Sequence, residues 1–172
     1  MKTTTILIPL IAAVLLSSCS KEDSEAVPDL VENPTISNLP ATVNKSQLLQ
    51  LVNEVRQKGC QCGDTYYYPT TKVTWNTQLE LAAYNHSSDM YRNQYFSHIA
   101  PDGSNGGVRI DRVGYNWMAY GENIGTGYTS EREVVDAWIK SPGHCQTIMN
   151  KAYKEMGVAR VGNYWTQEFA AR

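Results

Sequence analysis

Two histidines and two glutamates stand beside turns and helix ends of this chain and could share one site. Glu122, Glu133 and His144 fall within residues 120–150, and His98 lies upstream in the segment YFSHIAPDG. Neutral imidazole is a good ligand for Zn²⁺ and similar ions, and a carboxylate can complete the coordination shell or hold a water molecule. The residue types therefore indicate an open metal site. Two simpler explanations stay open, with Glu133 as a helix cap and Glu122 as a partner of loop amides.

Nucleophilic chemistry is a weaker alternative. Ser97 precedes His98, and Ser141 precedes His144 by three residues, so a serine–histidine–glutamate arrangement is conceivable. Adjacent serine and histidine side chains rarely point at each other, and Ser141 fits a helix-ending turn. The chain contains no HExxH, G-x-S-x-G or P-loop motif, so no short signature identifies a reaction.

Three cysteines lie in the part of the chain that carries these residues. Cys60 and Cys62 are too close in sequence for a relaxed bond to each other, so Cys145 is expected to pair with one of them. Closing so long a loop would contribute about 4–5 kcal/mol in the chain-entropy model. The residues alone leave the partner open, and we take Cys60 as the free, buried thiol.

Apolar periodicity predicts the helices that position these side chains. The predicted helices span residues 45–58, 77–93, 108–113, 130–140 and 144–149. His86 falls on the buried stripe of the second helix, where a hydrogen-bonded core histidine is expected rather than a ligand. Ser130 and Glu133 satisfy the S-x-x-E capping pattern at the start of the fourth helix.

The C-terminal part predicts β-structure. Residues 156–161 and 164–170 alternate between core and surface types, and Gly162-Asn163 between them is a hairpin signal. Residues 72–75 predict a short strand or an extended lead-in. Helices followed by a hairpin, without a repeating βαβ pattern, indicate an α+β fold with antiparallel strands.

The N-terminal part predicts export and anchoring. Residues 1–18 have one Lys, an apolar run and small residues, which is typical of a secretory signal peptide and too short for a membrane-spanning helix. The sequence Leu-Ser-Ser-Cys ending at Cys19 resembles a bacterial lipobox and predicts lipidation of that cysteine. Residues 19–45 predict a disordered tether, which leaves a domain over residues 46–172. We expect secretion across the inner membrane and a lipid-anchored protein of the cell envelope, at the outer membrane or cell surface.

Charge excludes one class of partner. The net charge is −2, and residues 1–45 carry three Lys and five acidic residues, so the rest of the chain is neutral. A neutral domain without a basic stripe is a poor binder of nucleic acid, because phosphate contacts dominate that affinity.

Five motifs occur in the order seen in the CAP superfamily, the SCP-like group of cysteine-rich secretory proteins, antigen 5 and plant pathogenesis-related proteins. The motifs are YFSH ending at His98, GENI around Glu122, EVVDAW beginning at Glu133, SPGH ending at His144, and YWTQEF over residues 164–169. The chain resembles this superfamily over about residues 46–172, and bacterial extracellular members most of all.

The resemblance implies an α-β-α sandwich with a three-stranded antiparallel sheet between helical layers. It also implies a cleft with a tetrad of His98, Glu122, Glu133 and His144. The two histidines would bind a divalent metal, with zinc the first expectation and magnesium or calcium as alternatives. Relatives with a single cysteine before a glycine favour Cys62 as the partner of Cys145.

Membership in such a fold does not fix an activity. The first expectation is an envelope lipoprotein whose metal-capable cleft binds a small molecule, a lipid or a peptide without turnover. One alternative is a metal-dependent hydrolase, protease-like, in which Glu122 or Glu133 is the general base. Another is a lipid- or sterol-binding or host-interaction module that uses the tyrosine-rich surface.

Overall fold

A computed structural model describes residues 34–172 of the chain. The predicted signal peptide, Cys19 and the predicted tether as far as residue 33 lie outside the described residues. The described end of that tether touches the domain. The hydroxyl of Thr42 accepts a hydrogen bond from the backbone of Arg160 at 3.2 Å, and the backbone N–H of Asn44 donates to Glu131 at 2.7 Å.

Five helices lie in the described region, and side-chain caps explain where four of them start. They are α1 (Lys45–Lys58), α2 (Thr77–Asn93), α3 (Gly106–Arg112), α4 (Glu131–Lys140) and α5 (Pro142–Met149). Asn44, Asn76 and Ser130 cap α1, α2 and α4, because each side chain accepts a hydrogen bond from a backbone N–H in the first turn. The predicted bounds of α1 and α2 are confirmed, while α3 begins two residues before its predicted start.

Six strands within residues 34–172 form two sheets. The strands are β1 (Cys60–Cys62), β2 (Thr65–Tyr67), β3 (Thr74–Trp75), β4 (Ala119–Thr126), β5 (Glu155–Val161) and β6 (Tyr164–Ala171). The first two make a separate hairpin, and the other four form a sheet in the order β3-β5-β6-β4. The expected three antiparallel strands are β5, β6 and β4. The predicted count of three is corrected to four by β3, a two-residue strand that pairs parallel to β5.

Strand β4 was not predicted from its composition. It contains Gly121 and Gly125, and glycine is depleted in strands because it has no side chain to pack. Both glycines lie where another side chain comes close: a Cβ on Gly121 would meet the Tyr153 hydroxyl at 2.3 Å, and one on Gly125 would meet Val134 at 3.1 Å. These glycines therefore let neighbouring side chains pack on this strand.

The four-stranded sheet separates two helical layers, as the α-β-α arrangement requires. Helices α1, α4 and α5 cover one face, and the largest apolar cluster lies there around Trp138, Trp165 and Phe169. Helices α2 and α3 cover the other face, where Leu79 and Ile110 pack with Ala170. Because successive side chains of a strand point to opposite faces of the sheet, neighbouring residues of β4 and β6 face opposite helical layers. The edge strand β4 therefore lies between the helices that carry the candidate site.

Candidate functional site

His98 and Glu122 are in direct contact. The loop between α2 and α3 places His98, and β4 places Glu122, so that His98 Nδ1 lies 2.6 Å from Glu122 Oε1. The Glu122 side chain is 5% exposed, whereas that of His98 is 52% exposed. Because a carboxylate accepts hydrogen bonds, Nδ1 carries the proton and Nε2 keeps its lone pair. Within residues 34–172, His98 Nε2 has no hydrogen-bond partner.

Arg109 of α3 holds this pair in place, although its position in the sequence did not indicate such a role. Its Nη2 lies 2.5 Å from Glu122 Oε2 and also donates to the backbone oxygen of His98 at 2.9 Å. Its Nη1 donates to the backbone oxygen of Ser104 at 3.0 Å. The side chain is 6% exposed. A single arginine in a short helix gives no signal from spacing, because its role depends on a loop and a strand distant in sequence.

Glu168 is a second buried carboxyl group at the site. It lies opposite Glu122 in the β4–β6 register and is 0% exposed. Arg109 Nε lies 3.8 Å from Glu168 Oε1, and neither Glu168 oxygen accepts a hydrogen bond from the described residues. Burial first, and the negative charge of Glu122 second, raise the pKa of Glu168 well above its usual value. Glu168 is part of the motif YWTQEF, and an acid among apolar residues of a predicted strand was the available signal.

Glu122 carries a negative charge in this environment. Burial acts to raise the pKa of Glu122, but the hydrogen bond from His98 and the charge of Arg109 outweigh it and lower the pKa to about 2. The two shifts run in opposite directions, which favours an ionised Glu122 beside a protonated Glu168. The site contains one ion pair and one neutral acid, rather than two repelling charges.

His86 is a core residue, as predicted, and it also borders the site. Its side chain is 0% exposed, its Nε2 lies 3.0 Å from the backbone oxygen of Ser97, and the same atom is 3.9 Å from Glu122 Oε2. A carbonyl oxygen only accepts, so Nε2–H is the donor. Burial is the main cause that lowers the pKa of His86 to about 4. His86 and Arg109 also line a cavity of about 460 Å³.

His144 reaches the site from the opposite helical layer. It lies in the first turns of α5, and its backbone oxygen accepts a hydrogen bond from Asn123 of β4 at 3.3 Å. Burial first, and then proximity to His98, lower the pKa of His144. His144 is therefore neutral at physiological pH, which is the form of imidazole that binds metals.

Glu133 makes its hydrogen bonds with the turn that precedes α4. Its Oε2 accepts hydrogen bonds from the backbone N–H and the hydroxyl of Thr129, both at 2.8 Å, and its own N–H donates to Ser130 at 3.3 Å. These bonds lower the pKa of Glu133. The predicted helix cap is therefore present. Among residues 34–172, Glu133 makes no hydrogen bond or ion pair with His98, Glu122 or His144.

The serine alternative gains no support from these contacts. The hydroxyl of Ser97 accepts from the backbone N–H of Ile99 at 3.0 Å. In the described part of the chain, neither Ser97 nor Ser141 forms a side-chain hydrogen bond with a histidine.

The donor atoms suit a metal held by two imidazoles and completed by other ligands. His98 offers Nε2, His144 is neutral, and Glu122 is the kind of outer carboxylate that orients a metal-binding histidine. A closed four-residue site is not formed. In residues 34–172, the one group of three or more potential ligands with all ligand atoms within 4.8 Å of one another is Cys60, Cys62 and Cys145.

Two of those cysteines are already bonded to each other. The disulfide joins Cys62 and Cys145, whose Cα atoms are 5.4 Å apart, and confirms the pairing that the resemblance favoured. Cys60 is the free cysteine of the described residues, as expected, although it is half-buried rather than buried. Its sulfur lies 3.4 Å from that of Cys145.

The described residues include no helix long and apolar enough to cross a membrane.

Two known proteins are similar to this chain in sequence. The chain is 30% identical over 131 residues to the uncharacterized membrane protein YlbC of Bacillus subtilis, which covers 76% of this chain and 35% of YlbC. It is 27% identical, with a TM-score of 0.66, to an extracellular protein of Bacillus anthracis containing an SCP domain, over 74% of this chain and 40% of that one. The chain thus spans about a third and two fifths of these proteins.

A more distant match shows the fold alone. The crystal structure of NaASP2 with Zn²⁺ has a TM-score of 0.52 and 14% identity, over 76% of this chain and 82% of that chain.

The model of the cysteine-rich secretory protein family, CAP, matches residues 49–169. This match includes both helical layers, nearly all of the central sheet and all four tetrad residues. The chain belongs to the cysteine-rich secretory protein (CAP) family.

Proposed function

We propose that this CAP-domain protein is exported, anchored by lipid to the cell envelope, and binds a divalent metal between His98 and His144 together with a ligand. The observation that supports the metal site is the 2.6 Å hydrogen bond between His98 Nδ1 and Glu122. This bond fixes the tautomer and leaves the lone pair of Nε2 on the more exposed side chain of the pair. Neutral His144, near His98, supplies the second imidazole.

Glu122 acts as a positioning residue in this proposal. His98 engages Oε1 and Arg109 engages Oε2, so both oxygens of this buried carboxylate already accept a hydrogen bond. Zinc is the first metal to test, because imidazole nitrogen suits it and because the CAP-fold structure of NaASP2 was obtained with Zn²⁺. A bound zinc ion would supply Lewis-acid polarisation of a ligand oxygen.

Zinc titration followed by calorimetry tests the metal site. The protein is first freed of metal with a chelator, and we expect one zinc ion per chain in the wild type. The His98→Ala/His144→Ala variant should lose this binding. Stoichiometric zinc binding that survives in the double variant would overturn the metal proposal.

Two controls sharpen that experiment. Cys60 is a free thiol that could itself take zinc, so Cys60→Ser must retain the binding. Asp111→Asn removes an exposed carboxylate of α3 that forms no ion pair with the tetrad within residues 34–172, and it should leave the affinity unchanged. Parallel titrations with magnesium and calcium decide whether zinc is the preferred ion.

A metal-dependent hydrolase is the second candidate, and one contact pattern favours Glu133 as its base. Both hydrogen bonds from Thr129 go to Oε2 of Glu133, so Oε1 has no partner in the described part of the chain. Glu122 has no such spare oxygen. A screen of peptide, ester and nuclease substrates should find zinc-dependent turnover that Glu133→Gln abolishes. Turnover that is absent, or unaffected by Glu133→Gln, rejects this role.

The ligand part of the proposal is supported by a groove beside α5. A groove of about 740 Å³ lies between residues 67–70 and α5, and its walls include Tyr68, Gly143, Gln146 and Asn150. Tyr68 is 80% exposed, so an aromatic face is available for contact. Ligand that copurifies with protein from its native host should be identified by mass spectrometry and should be lost in Tyr68→Ala. Retention of the same ligand in Tyr68→Ala would exclude the groove.

The anchor and location rest on the N-terminal residues and on relatives. YlbC is called a membrane protein and the Bacillus anthracis protein extracellular, which supports a place at the cell envelope or outside the cell. Cys19→Ala should shift the protein from the membrane fraction to the soluble fraction of cells that express the full chain. Continued membrane association of this variant would contradict lipid attachment at Cys19.

A further inference from the structure

Strand β1 presents two cysteines to the same cysteine of α5. Cys60 and Cys62 are two residues apart on β1, so their side chains lie on the same face of the strand. The pairing of Cys60 with Tyr67 and of Cys62 with Thr65 holds this short hairpin in register. That face of β1 meets Cys145, which is buried in α5.

The three sulfur atoms form a compact group. Cys60 Sγ lies 3.4 Å from Cys145 Sγ, and all three sulfurs are within 4.8 Å of one another. A disulfide bond is about 2.0 Å long, so Cys60 has to approach Cys145 by only about 1.4 Å to bond with it. Rotation about the Cα–Cβ bond of half-buried Cys60 can supply such a movement.

We propose that Cys60, Cys62 and Cys145 form a thiol–disulfide exchange site in which Cys145 pairs with either cysteine of β1. The Cys60 thiol loses its proton to solvent and its sulfur attacks Cys145 Sγ. The Cys60–Cys145 bond forms, the Cys62–Cys145 bond breaks, and Cys62 leaves as a thiolate that takes up a proton. One thiol and one disulfide are present before and after, so the step needs no external oxidant or reductant.

Attack goes to Cys145 rather than to Cys62. A Cys60–Cys62 bond would close a ring over a single intervening residue, whereas Cys145 approaches from another element. Burial raises the pKa of the Cys60 thiol, which slows the exchange without changing its products. The test therefore measures products after equilibration.

Exchange would change which cysteine carries the free thiol, and therefore how accessible that thiol is to solvent. In the present pairing the free thiol is Cys60, which is half-buried, whereas in the other pairing it is Cys62, which is 1% exposed here. The hairpin also touches α5 beside the candidate site, because a Cβ on Gly63 would lie 3.1 Å from Pro142. The choice of pairing thus sets how β1 is tied to the helix that carries His144.

Label mapping on the wild-type protein decides the proposal. The folded protein is equilibrated with a catalytic amount of a small thiol, quenched in acid, labelled with a maleimide and digested. Fragment ions between positions 60 and 62 locate the label. Among positions 60, 62 and 145 we expect one label per chain, divided between Cys60 and Cys62, while Cys60→Ser should carry none at these positions. Label at Cys60 alone after prolonged equilibration would overturn the proposal, whatever the variants show.

The Cys62→Ser variant gives a second measurement. With Cys60 and Cys145 remaining, we expect the Cys60–Cys145 bond to form and both thiols to disappear from the thiol count. Circular dichroism establishes that the variant is folded, and Cys62→Ser/Cys60→Ser, in which Cys145 has neither partner, calibrates the count at position 145. A folded Cys62→Ser protein in which Cys60 and Cys145 both remain free under oxidising conditions contradicts the exchange. If this variant does not fold, the wild-type label distribution remains decisive.

Discussion

At the residue scale, the candidate site depends on two carboxyl groups that differ in charge. Glu122 is ionised because Arg109 and His98 both bind it, while Glu168, opposite it in the sheet, is buried with no hydrogen-bond donor among residues 34–172. Placing a second negative charge there would add repulsion to the cost of burial. The carboxylate of Glu122, which orients His98, therefore lies beside the neutral carboxyl group of Glu168.

Arg109→Met should destabilise the protein strongly. It leaves the Glu122 charge buried without its cation and removes the donor to the His98 backbone, so we expect a loss of about 3–5 kcal/mol in the free energy of unfolding at neutral pH. Urea unfolding measures it. Arg112→Met is the matched control on the same helix: its ion pair with Asp102 is about half exposed, so solvent screens it and its loss should destabilise the protein far less. Equal effects of the two substitutions would contradict the role given to Arg109.

Glu168→Gln should become increasingly stabilising, relative to wild type, as pH rises. The pKa of Glu168 is raised in the folded state, so its stabilising proton is fully present below the usual pKa of 4.5 and is lost as pH rises through the folded value. The groups that face it are Glu122 and Arg109, and glutamine needs no proton. Urea unfolding of both proteins over a pH series measures the difference. A difference that stays constant above pH 4.5 would show that Glu168 is not protonated in the fold.

At the element scale, the position of α2 on the sheet depends on close backbone contact with β5. Gly157 allows this contact, since a Cβ there would lie 2.1 Å from the backbone nitrogen of Glu80. Helix α2 also carries His86, whose ring lies beside Glu122. The distance between strand and helix thus helps to set the geometry of the site.

Gly157→Ala should be among the most damaging small substitutions in the chain. The methyl group meets backbone rather than a flexible side chain, so α2 or β5 has to move, and we expect a cost of about 3 kcal/mol or more. Gly143→Ala in α5 is the control, because no atom lies within 4 Å of the added Cβ, and it should be neutral or stabilise by up to about 1 kcal/mol. Thermal unfolding of both variants measures this. A Gly157→Ala protein as stable as Gly143→Ala would mean that the two elements separate easily.

At the scale of the whole molecule, the site joins the two helical layers across the edge strand β4. His98 and Arg109 lie with the α2–α3 layer, while His144 belongs to α5 on the other face of the sheet. A ligand held by both histidines would therefore connect the layers and stabilise the folded protein by mass action.

Zinc should raise the melting temperature of the Cys60→Ser protein. At a hundredfold excess over its dissociation constant, a ligand specific for the folded state adds about 2.7 kcal/mol, or roughly 10 °C for a domain of this size. The rise should vanish when His98→Ala and His144→Ala are added. Differential scanning calorimetry measures it, with EDTA as the reversal control. An equal rise in the histidine variants would place any zinc elsewhere in the molecule.

The sequence by itself determined the helices and the terminal hairpin, because periodicity, caps and a turn are local. The bounds of α1 and α2 agree with the prediction, and Ser130 caps α4 as the S-x-x-E pattern indicates. The ordered motifs around His98, Glu122, Glu133 and His144 also indicated the family, which the family match confirms.

Only the tertiary structure decided which of these residues touch. It joined His98 to Glu122, left Glu133 as a cap, and brought in Arg109 and Glu168. These contacts depend on strand register and on packing between elements 13 to 46 residues apart. Composition and periodicity carry no information on such distances. The four residues that could do chemistry were visible in the sequence, but the charges and hydrogen bonds that would enable it come from the fold.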